Sequence, residues 1–165
     1  MIEKILNIGF ILFCLVALCA CSSDKIVGMP NPWTDCATLE EASKIAGFNF
    51  PLKLKNYKLS AMKDMIEFNV SYNSKDVTIR KGYETTINCD NSGDYTKYPI
   101  NNTLELKDGV IVNTRRDEKL IYVTYFCAES GCFSIRSPQG LTEKEVQEIF
   151  SMISEAESPK FEEEE

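Results

Sequence analysis

The sequence predicts an α+β fold, an antiparallel β-meander of about five to seven strands with an N-terminal and a C-terminal helix packed on one face. Three observations predict it. Ile66, Phe68, Val70 and Tyr72 alternate with Glu67, Asn69 and Ser71, the period of a half-buried strand. Two apolar triplets, Leu104-Glu105-Leu106 and Val110-Ile111-Val112, flank Lys107-Asp108-Gly109 as a hairpin. Two Thr-x-x-Glu boxes each precede an apolar stripe of helical period.

In the first box, Thr38 and Glu41 open a helix over 38–46 whose Leu39, Ala42, Ile45 and Ala46 share one face, and Gly47 stops it. Phe48, Phe50 and Leu52 follow as an extended apolar entry to the sheet. Asn73-Ser74 turns the first strand into Val77-Thr78-Ile79-Arg80. Gly82 to Asn101 is polar and without period, and an irregular segment of that length in a compact domain is usually functional or mobile.

The turn of the 104–112 hairpin follows from register. A two-residue Asp108-Gly109 loop pairs Leu104 with Asn113, whereas a three-residue loop pairs Leu106 with Val110 and Leu104 with Val112. The second keeps one face apolar and puts Gly109 at the left-handed position. A turn at 116–119 then sets Val123 opposite Val112 and Tyr125 opposite Val110, so that Val123, Tyr125 and Cys127 share the core face. The next turn sets two demands in conflict. A loop of 129–131 keeps Phe133 and Ile135 on that face but sends Cys132 away. A loop of 128–131 places Cys127 opposite Cys132 but turns Ser134 and Arg136 inward. The second box, Thr142 to Glu145, opens a helix over 143–156 with Val146, Ile149, Phe150 and Ile153 on one stripe.

Ahead of this domain, Met1-Ile2-Glu3-Lys4 leads into an apolar run over Ile5–Ala20, too short for a bilayer-crossing helix of about 20 residues and patterned as a secretory signal. Its end, Leu18-Cys19-Ala20-Cys21, resembles the lipobox of bacterial lipoproteins. That resemblance implies cleavage before Cys21, acylation of its thiol and attachment to a membrane facing the periplasm or exterior. Ser22, in place of an Asp, favours the outer membrane where there is one. The layout gives residues 1–20 as signal, 21–33 as lipidated cysteine and tether, 34–157 as one domain and 158–165 as an acidic tail. It also resembles that of the small extracytoplasmic domains carried behind such signals.

Removing 20 of 165 residues leaves 145, enough for one domain with a core. The formal charge is −7, of which Glu155 onward contributes −5. With no basic stripe, a nucleic-acid partner is not expected. Arg80-Lys81 and Arg115-Arg116 read as solvated strand ends. Cys36, Cys89, Cys127 and Cys132, an even set in an exported chain, read as two disulfides, and Cys127–Cys132 with Cys36–Cys89 is the preferred pairing.

The chain contains no histidine, which removes His-dependent hydrolases and His-ligated metals together. No nucleotide-binding or nucleophile-elbow motif occurs, and no cofactor or metal is expected. A carboxylate pair drawn from Glu84, Asp90 and Asp94 is the enzymatic alternative, as in glycoside hydrolysis. Tyr83, Tyr95 and Tyr98, in or beside the long irregular segment, are the candidate ligand-binding residues; the competing role is to pin that segment to the sheet. The expected function is therefore a membrane-anchored, non-enzymatic binding module for an envelope protein or small ligand. The alternatives are a lipid-handling or chaperone module with an apolar pocket, and a carboxylate-dependent hydrolase.

Overall fold

The structure, a computed structural model, describes residues 31–50, 55–82, 90–128 and 131–157. The lipobox with Cys21, the extended entry at Leu52, Tyr83, Glu84, Cys89 and the tail at 158–165 lie outside the described residues.

Among the described residues, eight strands form one antiparallel sheet in the order β1-β2-β3-β4-β8-β7-β6-β5. They are β1 (Thr34–Cys36), β2 (Tyr57–Met62), β3 (Met65–Tyr72), β4 (Lys75–Gly82), β5 (Ile100–Glu105), β6 (Ile111–Arg116), β7 (Ile121–Ala128) and β8 (Gly131–Leu141). The helices are α1 (Leu39–Ala46) and α2 (Glu143–Glu157). The strand number exceeds the expected five to seven, and β1 comes before α1, so the expected N-terminal helix is not the first element. Two strands account for the difference. β1 is only three residues long, and β2 buries Leu59, Ser60 and Ala61 in succession, a run with no alternation to read.

Local chemistry forms both helices. Thr38 Oγ1 accepts the Glu41 amide at 3.2 Å, Glu41 reaches back to the Ala37 amide at 2.9 Å, and Gly47 ends α1 at φ +82°. At α2, Thr142 Oγ1 accepts from the Glu145 amide and Glu145 Oε2 accepts from the Thr142 amide at 2.8 Å. The hairpin of β5 and β6 has the three-residue turn, with Leu104 opposite Val112, the Leu106 amide donating to the Val110 carbonyl, and Gly109 at φ +76°.

One face of the sheet packs against both helices. Leu59, Ala61, Ile66, Phe68, Val70, Val77, Ile79, Phe133, Ile135, Phe126 and Val112 meet Ala42 and Ala46 of α1 and Val146, Ile149, Phe150 and Ile153 of α2 in a single core. Phe126 stacks on Phe133 at 4.9 Å and meets Phe150 edge-on at 5.0 Å, while Phe50 lies edge-on to Phe68 and Phe133.

The face of β7 is the reverse of that expected. Tyr125 lies opposite Asn113 and Val123 opposite Arg115, with a bulge between Arg115 and Arg116. The turn closes one residue later than expected, with Arg116 opposite Ile121 and the Asp117 carboxylate accepting the amides of Lys119 and Leu120 at 2.7 Å, and the bulge then adds the single-residue offset that reverses the faces. Thr124 and Phe126 therefore face the helices, and Val123, Tyr125 and Cys127 face the other way. This removes the conflict at the next turn. Cys127 pairs with Cys132 and is bonded to it, while Phe126 pairs with Phe133 on the core side. Ser134 and Arg136 do turn toward the cysteine face, but that face is not the core.

Candidate functional site

The second face of the sheet is polar and carries the chemistry. Alternation places Glu67 (β3), Arg80 (β4), Ser134 and Arg136 (β8), Tyr125 (β7) and Arg115 (β6) on it. The segment 90–99 crosses above them. It is held by its own short turns: Asp90 Oδ1 accepts the Ser92 amide and hydroxyl at 3.1 and 2.6 Å, and Asp94 Oδ1 accepts the Thr96 amide at 2.8 Å.

Three arginines bolt the segment down. Arg115 pairs with the Asp90 carboxylate, donates to the Asp94 carbonyl and lies over the Tyr125 ring at 5.6 Å. Arg80 bonds Glu67 at 2.7 Å, donates to the Asn91 carbonyl at 3.1 Å, and sits 4.9 Å above the half-buried Trp33. Arg136 lies 3.6 Å from Asp94. Asn91 Nδ2 completes the attachment by donating to the Cys132 carbonyl at 2.9 Å. Gly93 adopts φ +66° where it passes Arg80, and a Cβ there would stand 2.4 Å from Nη1, so that a side chain would strain the backbone and displace the guanidinium.

The basic pairs are therefore not solvated strand ends. Arg80, Arg115 and Arg116 have side chains 15, 20 and 16% exposed, and Lys81 is 5% exposed on the core side against Phe50 and Phe133. Each arginine meets a carboxylate whose place in the sequence is 13 or more residues away, so no local pattern announces it.

The tyrosines divide. Tyr98 pins the segment: it stacks on Tyr122 at 5.1 Å and donates to Asp94 Oδ2 at 3.0 Å. Burial, then the bond to Asp94, push its hydroxyl pKa upward. Tyr95 does the opposite and stands 93% exposed. Between them is a cleft of about 460 Å³ lined by Asp94, Tyr95, Thr96, Lys97, Tyr98, Asn101 and Arg115. Such a cleft offers an aromatic face, an ammonium and an amide to a ligand.

The carboxylates behave as anchors. Burial works to raise the Asp94 pKa, but hydrogen bonds from Thr96 and Tyr98 and the charge of Arg136 outweigh it, and the pKa falls below the usual range. A glycosidic general acid needs the reverse shift. Among the described residues, no three Cys, Asp or Glu side chains converge as metal ligands.

Of the cysteines, Cys127 and Cys132 are bridged with 4.2 Å between Cα atoms. Cys36 departs from the expected pairing with Cys89: it carries a free thiol whose Sγ donates to the Thr34 carbonyl at 3.4 Å. Burial, then Glu41, raise its pKa, so it is not a thiolate nucleophile at neutral pH. Comparison with protein-family models, with curated proteins and with solved structures found no match.

Proposed function

We propose that this protein is a lipid-anchored extracytoplasmic lipoprotein whose domain is a non-enzymatic binding module, with the 94–98 shelf as its recognition element. One observation carries the reading: Tyr95 is 93% exposed on a segment fixed before it by Asp90–Arg115 and Asp94–Arg136 and after it by the stack of Tyr98 on Tyr122. Exposing a large aromatic ring to water is unfavourable, and a rigid support lowers the entropy lost when a partner covers it. The filled aromatic interior supports recognition at this surface over an apolar pocket between sheet and helices. The paired state of Asp90 and Asp94 weighs against their use as an acid–base couple.

The anchor in this reading is Cys21 with its lipobox, which places the domain at the cell envelope, on the outer membrane where one is present. Affinity capture from solubilised envelope tests the binding element, with the wild-type chain and Tyr95→Ala as baits. We expect specific partners or ligands to be lost with the ring; identical profiles would remove Tyr95 from the site. Cys21→Ser tests the anchor separately. An unchanged N-terminal mass and unchanged membrane partitioning would overturn the lipoprotein reading.

A further inference from the structure

We infer that β5 is a pairing edge through which two copies of this chain join antiparallel into one continuous sheet. The two edges of the sheet are unlike. β1 is three residues long and carries Asp35, a short and charged edge of the kind that resists strand addition. β5 is six residues long, Ile100–Glu105, has no charge or proline before Glu105, and exposes Asn101, Asn102 and Thr103. It lacks the usual devices against edge pairing.

The register identifies which backbone groups are open. The Leu106 amide bonds the Val110 carbonyl, so Leu104–Val112, Asn102–Thr114 and Ile100–Arg116 are the inward-bonded pairs of the ladder. Thr114 Oγ1 donating to the Asn102 carbonyl agrees with this phase. Asn101, Thr103 and Glu105 then turn their N–H and C=O groups away from β6, and among the described residues nothing bonds them. The open ladder is bounded at both ends. Pro99 has no N–H, and the Lys107 amide is taken by Gln147 Oε1 at 2.7 Å. α2 does not cover the edge, because a groove of about 570 Å³ lined by Leu104, Lys107, Glu143 and Gln147 separates them.

This ladder is symmetric about Thr103, as a twofold pair requires. Thr103 meets Thr103 of the second copy, and Asn101 meets Glu105 of the second copy on each side. Charge favours that register: each Glu105 faces an amide that can donate to it, and the two carboxylates lie four residues apart along the seam. The ends match too, since Pro99 falls opposite Lys107 of the second copy, where neither has an N–H to give. On the core side, the half-buried Leu104 comes opposite Asn102 of the second copy, and the half-buried Ile100 opposite its Leu106. Asn101 also lines the 94–98 cleft, so Glu105 of the second copy would form part of its rim.

The test uses the full chain in detergent micelles, with mass measured by light scattering. We expect the wild-type chain to be dimeric and Thr103→Pro to be monomeric. The Thr103 N–H points away from β6, so this proline costs no bond within the fold, a position where edge strands tolerate it. Thr103→Lys, which sets two ammonium groups across the twofold, gives a second monomeric variant should the proline disturb folding by circular dichroism. Thr103→Cys should form a disulfide-linked dimer above the wild-type thiol background, and Asn101→Cys, which does not face itself, should not. A monomeric wild-type chain, a dimer that survives both Thr103→Pro and Thr103→Lys, or cross-linking from Asn101→Cys equal to that from Thr103→Cys would each overturn the inference.

Discussion

Cys127 and Cys132 face each other across the β7–β8 hairpin, Cα atoms 4.2 Å apart, on the side of the sheet opposite the Phe126–Phe133 stack. One hairpin thus satisfies two constraints by assigning them to opposite faces. The bridge closes a ring only five residues in separation, so its effect on the unfolded chain is modest, about 2 kcal/mol from loop-closure entropy. The double replacement Cys127→Ala, Cys132→Ala should leave the domain folded and lower its stability by about that amount in urea titration. Thiol reduction of the wild-type protein should reproduce the shift. A collapse of the fold would mean that the hairpin depends on the bridge rather than on the aromatic stack.

The same hairpin marks how far the sequence can be read. The turn of β5 and β6 was legible because Gly109 and the apolar alternation agree on one register. β7 was not, because Ile121, Val123 and Phe126 supply apolar residues at both parities. The reason is physical: Val123 is fully buried, yet on the face away from the helices, between Arg115 and Arg136, the arginines that hold the 90–99 segment. A strand covered on both sides loses the alternation that reveals its faces. The candidate site was legible in part. The irregular segment and its tyrosines stand out by composition, but Arg115 and Asp90 are 25 residues apart, and nothing local distinguishes a clamping arginine from a solvated one.

Arg115 holds that segment through the Asp90 carboxylate, the Asp94 carbonyl and the Tyr125 ring. Removing it leaves Asp90 largely buried, with a side chain 17% exposed, and without its cation. Arg115→Ala should cost about 1–3 kcal/mol. It should also speed hydrogen exchange at the amides of Ser92, Asp94 and Thr96 ahead of those in β3 and β4. Arg115→Lys keeps the charge but not the fork, so its effect should be intermediate. Uniform acceleration across the whole sheet would show that Arg115 supports the fold at large rather than this segment.

Glu145 ties α2 to the β3–β4 turn through Lys75 at 2.7 Å and caps its own helix at Thr142. Burial works to raise its pKa, but Lys75, Thr142 and Asn73 outweigh burial and hold it at about 2, against an unperturbed 4.5. The folded value is the lower one, so this stabilisation is complete above pH 4.5 and is lost as pH falls toward 2. With solvent screening at the edge of the pair, Glu145→Gln should cost about 1–2 kcal/mol at neutral pH. The variant should be less sensitive to acid over that window. Parallel stability–pH curves for the two proteins would contradict the linkage.

Thr124 presents the converse case, a polar group with nothing to satisfy it. It faces the core beside Phe126, is 1% exposed, and its Oγ1 has no hydrogen-bond partner among the described residues. Val has the same shape without the hydroxyl. The usual objection to exchanging Thr for Val is the lost hydrogen bond, and here there is none to lose. Burying an unpaired hydroxyl costs about 1–3 kcal/mol by mutational measure, and part of that cost is relieved when a methyl takes its place. Thr124→Val should therefore stabilise the domain by about 1 kcal/mol and raise the thermal midpoint. Thr124→Ser, which keeps the hydroxyl and loses the methyl, should destabilise it. A destabilised Val variant would mean that Oγ1 is satisfied in solution, and that this core position is polar for a reason beyond packing.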